Sequence, residues 1–101
     1  MLNLDMERAR REEMRWYILR ALYAAQPVGT SEAIIKNAIT DIVPDVTDMD
    51  VRRELDYLAE RKLAEIEKDR PVWFAKINYH GIDIVEYTVA CHPGIARPDK
   101  W

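Results

Sequence analysis

The stretch from Thr47 to Gly81 constrains this chain more than any other part of it. Val51, Leu55 and Leu58 fall at i, i+4 and i+7, one stripe of an α-helix. From Leu63 the pattern changes to short, roughly alternating runs, Leu63-Ala64-Glu65-Ile66 and Trp73-Phe74-Ala75-Lys76-Ile77, on either side of Asp69-Arg70-Pro71. That is a hairpin signal. The spacing therefore predicts a helix ending near Lys62 that runs directly into two antiparallel strands, residues 63–68 and 72–77. Leu55, Leu58, Leu63 and Ile77 are expected inside.

Two helices precede this unit. Met14, Tyr17, Ile18, Ala21 and Leu22 form the stripe of a first helix over residues 4–25, stopped by Pro27 and Gly29. Thr30 or Ser31 can cap a second, whose apolar positions are Ile34, Ile35, Ala38, Ile39 and Ile42, with Pro44 ending it. Thr47 can cap the third helix, with Asp50 completing a capping-box-like pair. Carboxylates in a first turn favour the helix dipole, so Asp48 and Asp50 have a structural role available to them. Asn78 can cap a last helix over residues 79–89, with Ile82, Val85 and Val89 inward. Residues 91–101, with Pro93, Gly94 and Pro98, lack periodicity and read as an extended tail.

Charge qualifies any functional reading. The net charge of −3 is mild, but residues 27–62 hold eight acids against five bases, the largest acidic excess in the chain. A domain that binds duplex DNA usually carries a basic excess on the element that meets phosphate. Arg52 and Arg53 also have carboxylates at helical spacing: Asp48–Arg52, Arg52–Asp56, Asp50–Arg53 and Arg53–Asp56. Each such pair is worth only a few tenths of a kcal/mol, yet together they offset the potential that phosphate needs. Lys68, Arg70 and Lys76 lie on the hairpin, where mixed charge also describes a plain solvated turn. Of the adjacent Trp73 and Phe74, one must point away from the core.

Chemistry beyond binding has little to stand on. One Cys91 and two histidines, His80 and His92, fall short of the four paired ligands of a zinc site. Cys91 has no fixed base beside it in a defined element. No phosphate-cradling glycine loop, HExxH or GxSxG occurs. No enzyme activity, cofactor or metal is expected. The single cysteine fits a reducing compartment, and no apolar run approaches the length of a membrane span, so the chain is expected in the cytoplasm.

Val51, Arg53, Leu55, Leu58 and Leu63 resemble the recognition helix and first wing strand of the winged-helix families of bacterial regulators, and Asn78-x-x-Gly81 resembles the opening of their last helix. Lys62 stands where those families usually place glycine. Over its whole length the chain is similar to small winged-helix proteins encoded by Mu-like phages and prophages, through Gly81-Ile82-Asp83-Ile84-Val85 and the ending His92-Pro93-Gly94-Ile95-Ala96-Arg97-Pro98. The resemblance implies an α+β fold, a winged helix-turn-helix of order α-α-α-β-β-α over residues 1–90, and the extended tail over residues 91–101. It further implies double-stranded DNA as the partner, in transcription control or DNA packaging. Thr47, Met49, Arg52 and Arg53 would then face the major groove, with Lys68, Arg70 and Lys76 on phosphate. Asp48, Asp50 and Asp56 replace residues that are usually neutral or basic. The alternative is a protein–protein interaction module on the same fold that does not bind DNA, its partner a phage or host protein. Leu2, Leu4, Met6, Met14, Trp16 and Tyr17 give the first helix more apolar surface than so small a core can cover. That predicts a homodimer through the first and last helices.

Overall fold

The computed structural model describes residues 2–100, with side chains from residue 5 onward. The element order is α1 (Leu2–Ala24), β1 (Thr30–Ser31), α2 (Glu32–Ile39), α3 (Asp48–Glu60), β2 (Ala64–Glu67), β3 (Phe74–Ile77) and α4 (Tyr79–Val85). This is an α+β fold: four helices and a three-stranded antiparallel sheet of order β1-β3-β2. Among the described residues no helix is long and apolar enough to cross a membrane.

The helix-to-hairpin unit forms where the sequence places it. Ala64 pairs with Ile77 and Glu67 with Phe74, so alternate residues of the hairpin face the core. Leu55, Leu58, Leu63 and Ile77 are all buried. The start of α3 is fixed by a complete capping box. The Thr47 N–H donates to Asp50 Oδ2 at 3.0 Å, and the Asp50 N–H donates to Thr47 Oγ1 at 3.0 Å. Its end is a Schellman motif: the Leu63 N–H bonds the Leu58 carbonyl at 2.9 Å and the Lys62 N–H bonds that of Ala59 at 3.0 Å. The residue between, Lys62, sits at φ 62°, the left-handed conformation usually left to glycine.

Four expectations need correcting. First, a third strand exists. Thr30 and Ser31 pair with Ala75 and Phe74, and Ser31 also caps α2 through the Ile34 N–H. Second, α2 stops at Ile39, three residues short of Ile42. Ile35 and Ile39 are buried, but Ile34 is 60% exposed and Ile42 39%, because Val43 and Val46 of the following linker fill that side of the core. Third, β3 begins at Phe74, leaving Val72 exposed. Side chains satisfy the backbone just before it: Arg52 Nη2 donates to the Pro71 carbonyl at 3.0 Å and the Trp73 N–H donates to Glu32 Oε2 at 2.6 Å. Fourth, α4 ends at Val85, with Ile84 as its innermost residue and Val89 exposed. Tyr87, at φ 62°, turns the chain there.

Residues 91–100 contain no helix or strand, and they lie against the domain. The Ala96 N–H donates to the Glu12 carbonyl at 3.1 Å, and Arg97 Nη1 bridges the carbonyls of Ile84 and Val89 at 2.9 and 3.0 Å. Ile95 is buried. Met14 and Trp16 of α1 are also buried within this one chain, so part of the apolar surplus assigned to a partner is covered by the domain itself, with the Trp16 and Tyr87 rings 6.2 Å apart. Met6 remains 68% exposed, while Leu2 and Leu4 lie outside the described side chains.

Candidate nucleic-acid interface

Of the seven residues expected at DNA, Thr47, Met49, Arg52 and Arg53 lie at the start of α3 and Lys68, Arg70 and Lys76 on the hairpin, Lys76 on the side lined by Gln26, Pro27 and Tyr79. Thr47 and Met49 lie in the first turn of α3 and are exposed, Met49 by 75%. Thr47 is occupied by its cap. The five basic residues each meet a carboxylate of their own chain, half of those carboxylates in α3 and half outside it.

Arg52 is the most firmly held. Its Nε and Nη2 grip Glu32 Oε1 and Oε2, both at 2.7 Å, in a bidentate fork, while its guanidinium lies 4.6 Å from the Trp73 ring centre. Glu32 is itself buried at the start of α2. One arginine thus ties α2, α3 and the hairpin together. Its fork holds the Glu32 carboxyl below its ordinary value of 4.5, against burial, with the Trp73 N–H adding to it. The four intrahelical partners expected from spacing reduce to one here. Arg53 Nη2 does bond Asp50 Oδ1 at 2.9 Å, but its Nε bonds the neighbouring Glu54 at 3.2 Å. Asp48 pairs with Lys36 of α2 at 3.2 Å, and Asp56 with Lys68 of the hairpin at 2.6 Å.

The remaining hairpin cations are also matched. Arg70 lies 3.1 Å from Glu67, and Lys76 lies 4.0 Å from Glu65 across the β2–β3 pair. Lys68 and Arg52 both stand 4.6 Å from the Trp73 ring centre, so Trp73 is half-buried beneath two cations. Phe74 is half-buried as well, with Arg70 5.5 Å from its ring centre.

Behind this face lies a network that the sequence did not announce. Glu54 is fully buried in α3, with Arg15 Nε at 2.7 Å from Oε1 and Arg53 Nε at 3.2 Å from Oε2. Asp50 receives Arg10 at 3.2 Å as well as Arg53. Burial raises the Asp50 carboxyl but is outweighed by the Thr47 N–H and Arg10, which hold it below its ordinary value. The pairs Arg10–Asp50, Arg15–Glu54 and Arg52–Glu32 span 40, 39 and 20 residues, and no local spacing signals them.

No group of three or more His, Cys, Asp or Glu side chains that could hold a metal occurs among the described residues. Burial, opposed by Arg97, pushes the Cys91 thiol up, and its Sγ lies 3.8 Å from the Ile95 carbonyl. No protein-family model matches the chain, and neither a curated protein nor a solved structure matches it.

Proposed function

We propose that the chain is a winged-helix domain of the kind encoded by Mu-like phages and prophages, and that its α3–hairpin face docks a protein in preference to DNA. β2 and β3 correspond to the wing in this reading, and β1 closes the sheet that carries it. One observation carries the reading: each of the five cations expected at DNA is matched by a carboxylate of its own chain.

The magnitudes decide between the partners. Exposed pairs such as Arg53–Asp50 or Lys68–Asp56 contribute less than about 1 kcal/mol each and could open for a phosphate. Opening them would still leave their carboxylates beside it, and like charges close together in partly shielded surroundings repel by several kcal/mol. Arg52 is further withheld by its fork on buried Glu32. Thr47 and Met49, exposed at the start of α3, favour the second reading, a DNA-binding protein with a narrow site preference. Anisotropy titrations with a random duplex pool, at two salt concentrations, separate the two. The protein-docking reading expects no saturable binding at low salt, and none for Asp56→Asn. Binding that weakens steeply with salt, and that Asp56→Asn tightens, would return the face to DNA.

The same domain is proposed to form a two-fold homodimer through α1 and α4. Met6 is 68% and Tyr79 86% exposed, and they mark opposite ends of α1, since Met6 lies near its start and Tyr79 shares a cleft with Gln26 and Pro27 just past its end. Antiparallel packing of two α1 helices about a two-fold axis perpendicular to them brings the Met6 end of one copy to the Tyr79 end of the other. Light scattering at micromolar concentration is expected to give twice the chain mass, and Met6→Lys with Tyr79→Lys to halve it. A monomer in the unmodified protein sinks the proposal.

A further inference from the structure

Both histidines of the chain, His80 and His92, line one cleft of about 220 Å³. The cleft lies between the end of α3 (Arg61, Lys62), α4 (His80, Asp83, Ile84) and the segment that follows it (Val89, His92). We propose that this cleft binds a phosphate dianion, either inorganic phosphate or the terminal group of a phosphate monoester.

The donor set argues for an anion over a metal. Among the described residues no third His, Cys, Asp or Glu side chain joins the two imidazoles in a group that could hold a metal, and the Cys91 thiol is directed to the Ile95 carbonyl. Against the one carboxylate lining the cleft stand Lys62 and two imidazoles, all able to donate hydrogen bonds, while the Arg61 guanidinium is turned to Glu60 and Tyr57. Elsewhere on the surface the balance differs. The larger groove at the start of α3 places Arg10, Arg11 and Arg53 opposite Glu7, Asp45 and Asp50, which cancel them. Here the Lys62 ammonium has no ion pair or hydrogen bond among the described residues, and His92 Nδ1 is buried without a partner.

Lys62 supplies the second line of argument. It occupies the left-handed position of the Schellman motif, where a side chain is strained and glycine is not. A cation near a helix C-terminus offsets the dipole, which is the purely structural account of a lysine there. Arg61 already does this from the C-cap at φ −93°, without the left-handed strain, and bonds the Tyr57 carbonyl at 3.3 Å. A second cation on a strained backbone, unpaired at the mouth of a cleft, fits a ligand contact better than a second dipole correction.

Because both histidines are in the cleft, their imidazole resonances in a carbon–proton correlation spectrum report on it alone. Titration with inorganic phosphate at constant ionic strength is expected to shift both in parallel and to saturate at roughly millimolar concentration. AMP and adenosine form the second arm. AMP at least tenfold tighter than phosphate assigns a nucleotide or similar ester; equal affinities assign free phosphate; adenosine is expected to shift neither resonance. Lys62→Gly separates binding from structure: it relieves the backbone strain, so it is expected to raise the melting temperature while weakening phosphate binding at least fivefold. Lys62→Gln is expected to weaken binding equally with the melting temperature unchanged. Shifts that chloride reproduces, shifts that never saturate, or an affinity indifferent to both Lys62 variants would overturn the proposal.

Discussion

Replacing Arg15 with alanine is expected to cost about 3–5 kcal/mol of stability, the typical effect of leaving one member of a buried ion pair uncompensated. Glu54 is fully buried, and Arg15 supplies its closest cation at 2.7 Å. Arg53 cannot take over, because its side chain is 56% exposed and its contact with Glu54 is 3.2 Å. Arg15 carries two further loads. Its Nη1 donates to the Gly94 carbonyl at 2.9 Å, and its guanidinium carbon lies 3.6 Å from the centre of the Tyr57 ring. Arg61 lies 3.5 Å from the same centre, so the two guanidiniums must occupy opposite faces of the ring. Since a domain of this size has only about 5–15 kcal/mol in total, Arg15→Ala removes a large fraction of it. Glu54→Gln, which keeps the shape and an acceptor oxygen, is expected to cost clearly less, and Arg53→Ala less than about 1 kcal/mol because that pair is solvated. Urea unfolding of the three variants checks the order. An Arg15→Ala loss no larger than that of Arg53→Ala would show the buried pair to be unimportant. Local loosening should appear first at the Ala96 amide, whose bond to Glu12 holds the tail on α1.

The parts of this fold that were legible are those written in short-range chemistry. Thr47 and Asp50 are three residues apart, so their capping box can be read directly from the sequence. The β2–β3 hairpin follows from alternation around one turn. β1 was missed because two residues cannot display a period; its existence depends on β3 offering a free edge. α2 was drawn too long because Ile34, Ala38 and Ile42 continue the helical spacing, and spacing alone cannot say that Val43 and Val46 fill the core instead. Among the candidate interface residues, the sequence identified the cations and warned of nearby acids, but of the four helical pairs it offered Arg52 and Arg53 only Asp50–Arg53 forms. Arg52 passes over Asp48 and Asp56 on its own helix for Glu32, because Glu32 is buried and already accepts the Trp73 N–H. A carboxylate taken out of water needs a cation more than a solvated one does. Burial is a property of the finished fold, and no spacing rule contains it.

Gly81→Ala is expected to destabilise the domain, although a generic helix argument gives the opposite sign. Gly81 lies in the first turns of α4 with a φ that alanine adopts freely, so the exchange would ordinarily gain about 1 kcal/mol of helix propensity. Its neighbours reverse this. A β-carbon there would overlap the Leu63 carbonyl oxygen and stand 2.7 Å from Ile77 Cγ1. The carbonyl belongs to the backbone at the mouth of β2 and also accepts the Asn78 N–H at 3.3 Å, so it cannot swing aside as a side chain would. α4 must lift from the sheet, at a cost of about 3 kcal/mol by analogy with overpacked cores, for a net loss of about 2 kcal/mol. In a domain of this length that corresponds to a fall in melting temperature of roughly 10 °C. Trimming Ile77 tests which contact matters. If the carbonyl is the obstacle, the Gly81→Ala penalty is the same in an Ile77→Ala background; if the isoleucine is, most of that penalty vanishes there. A Gly81→Ala protein as stable as the parent, or more so, would mean that α4 does not approach the sheet this closely.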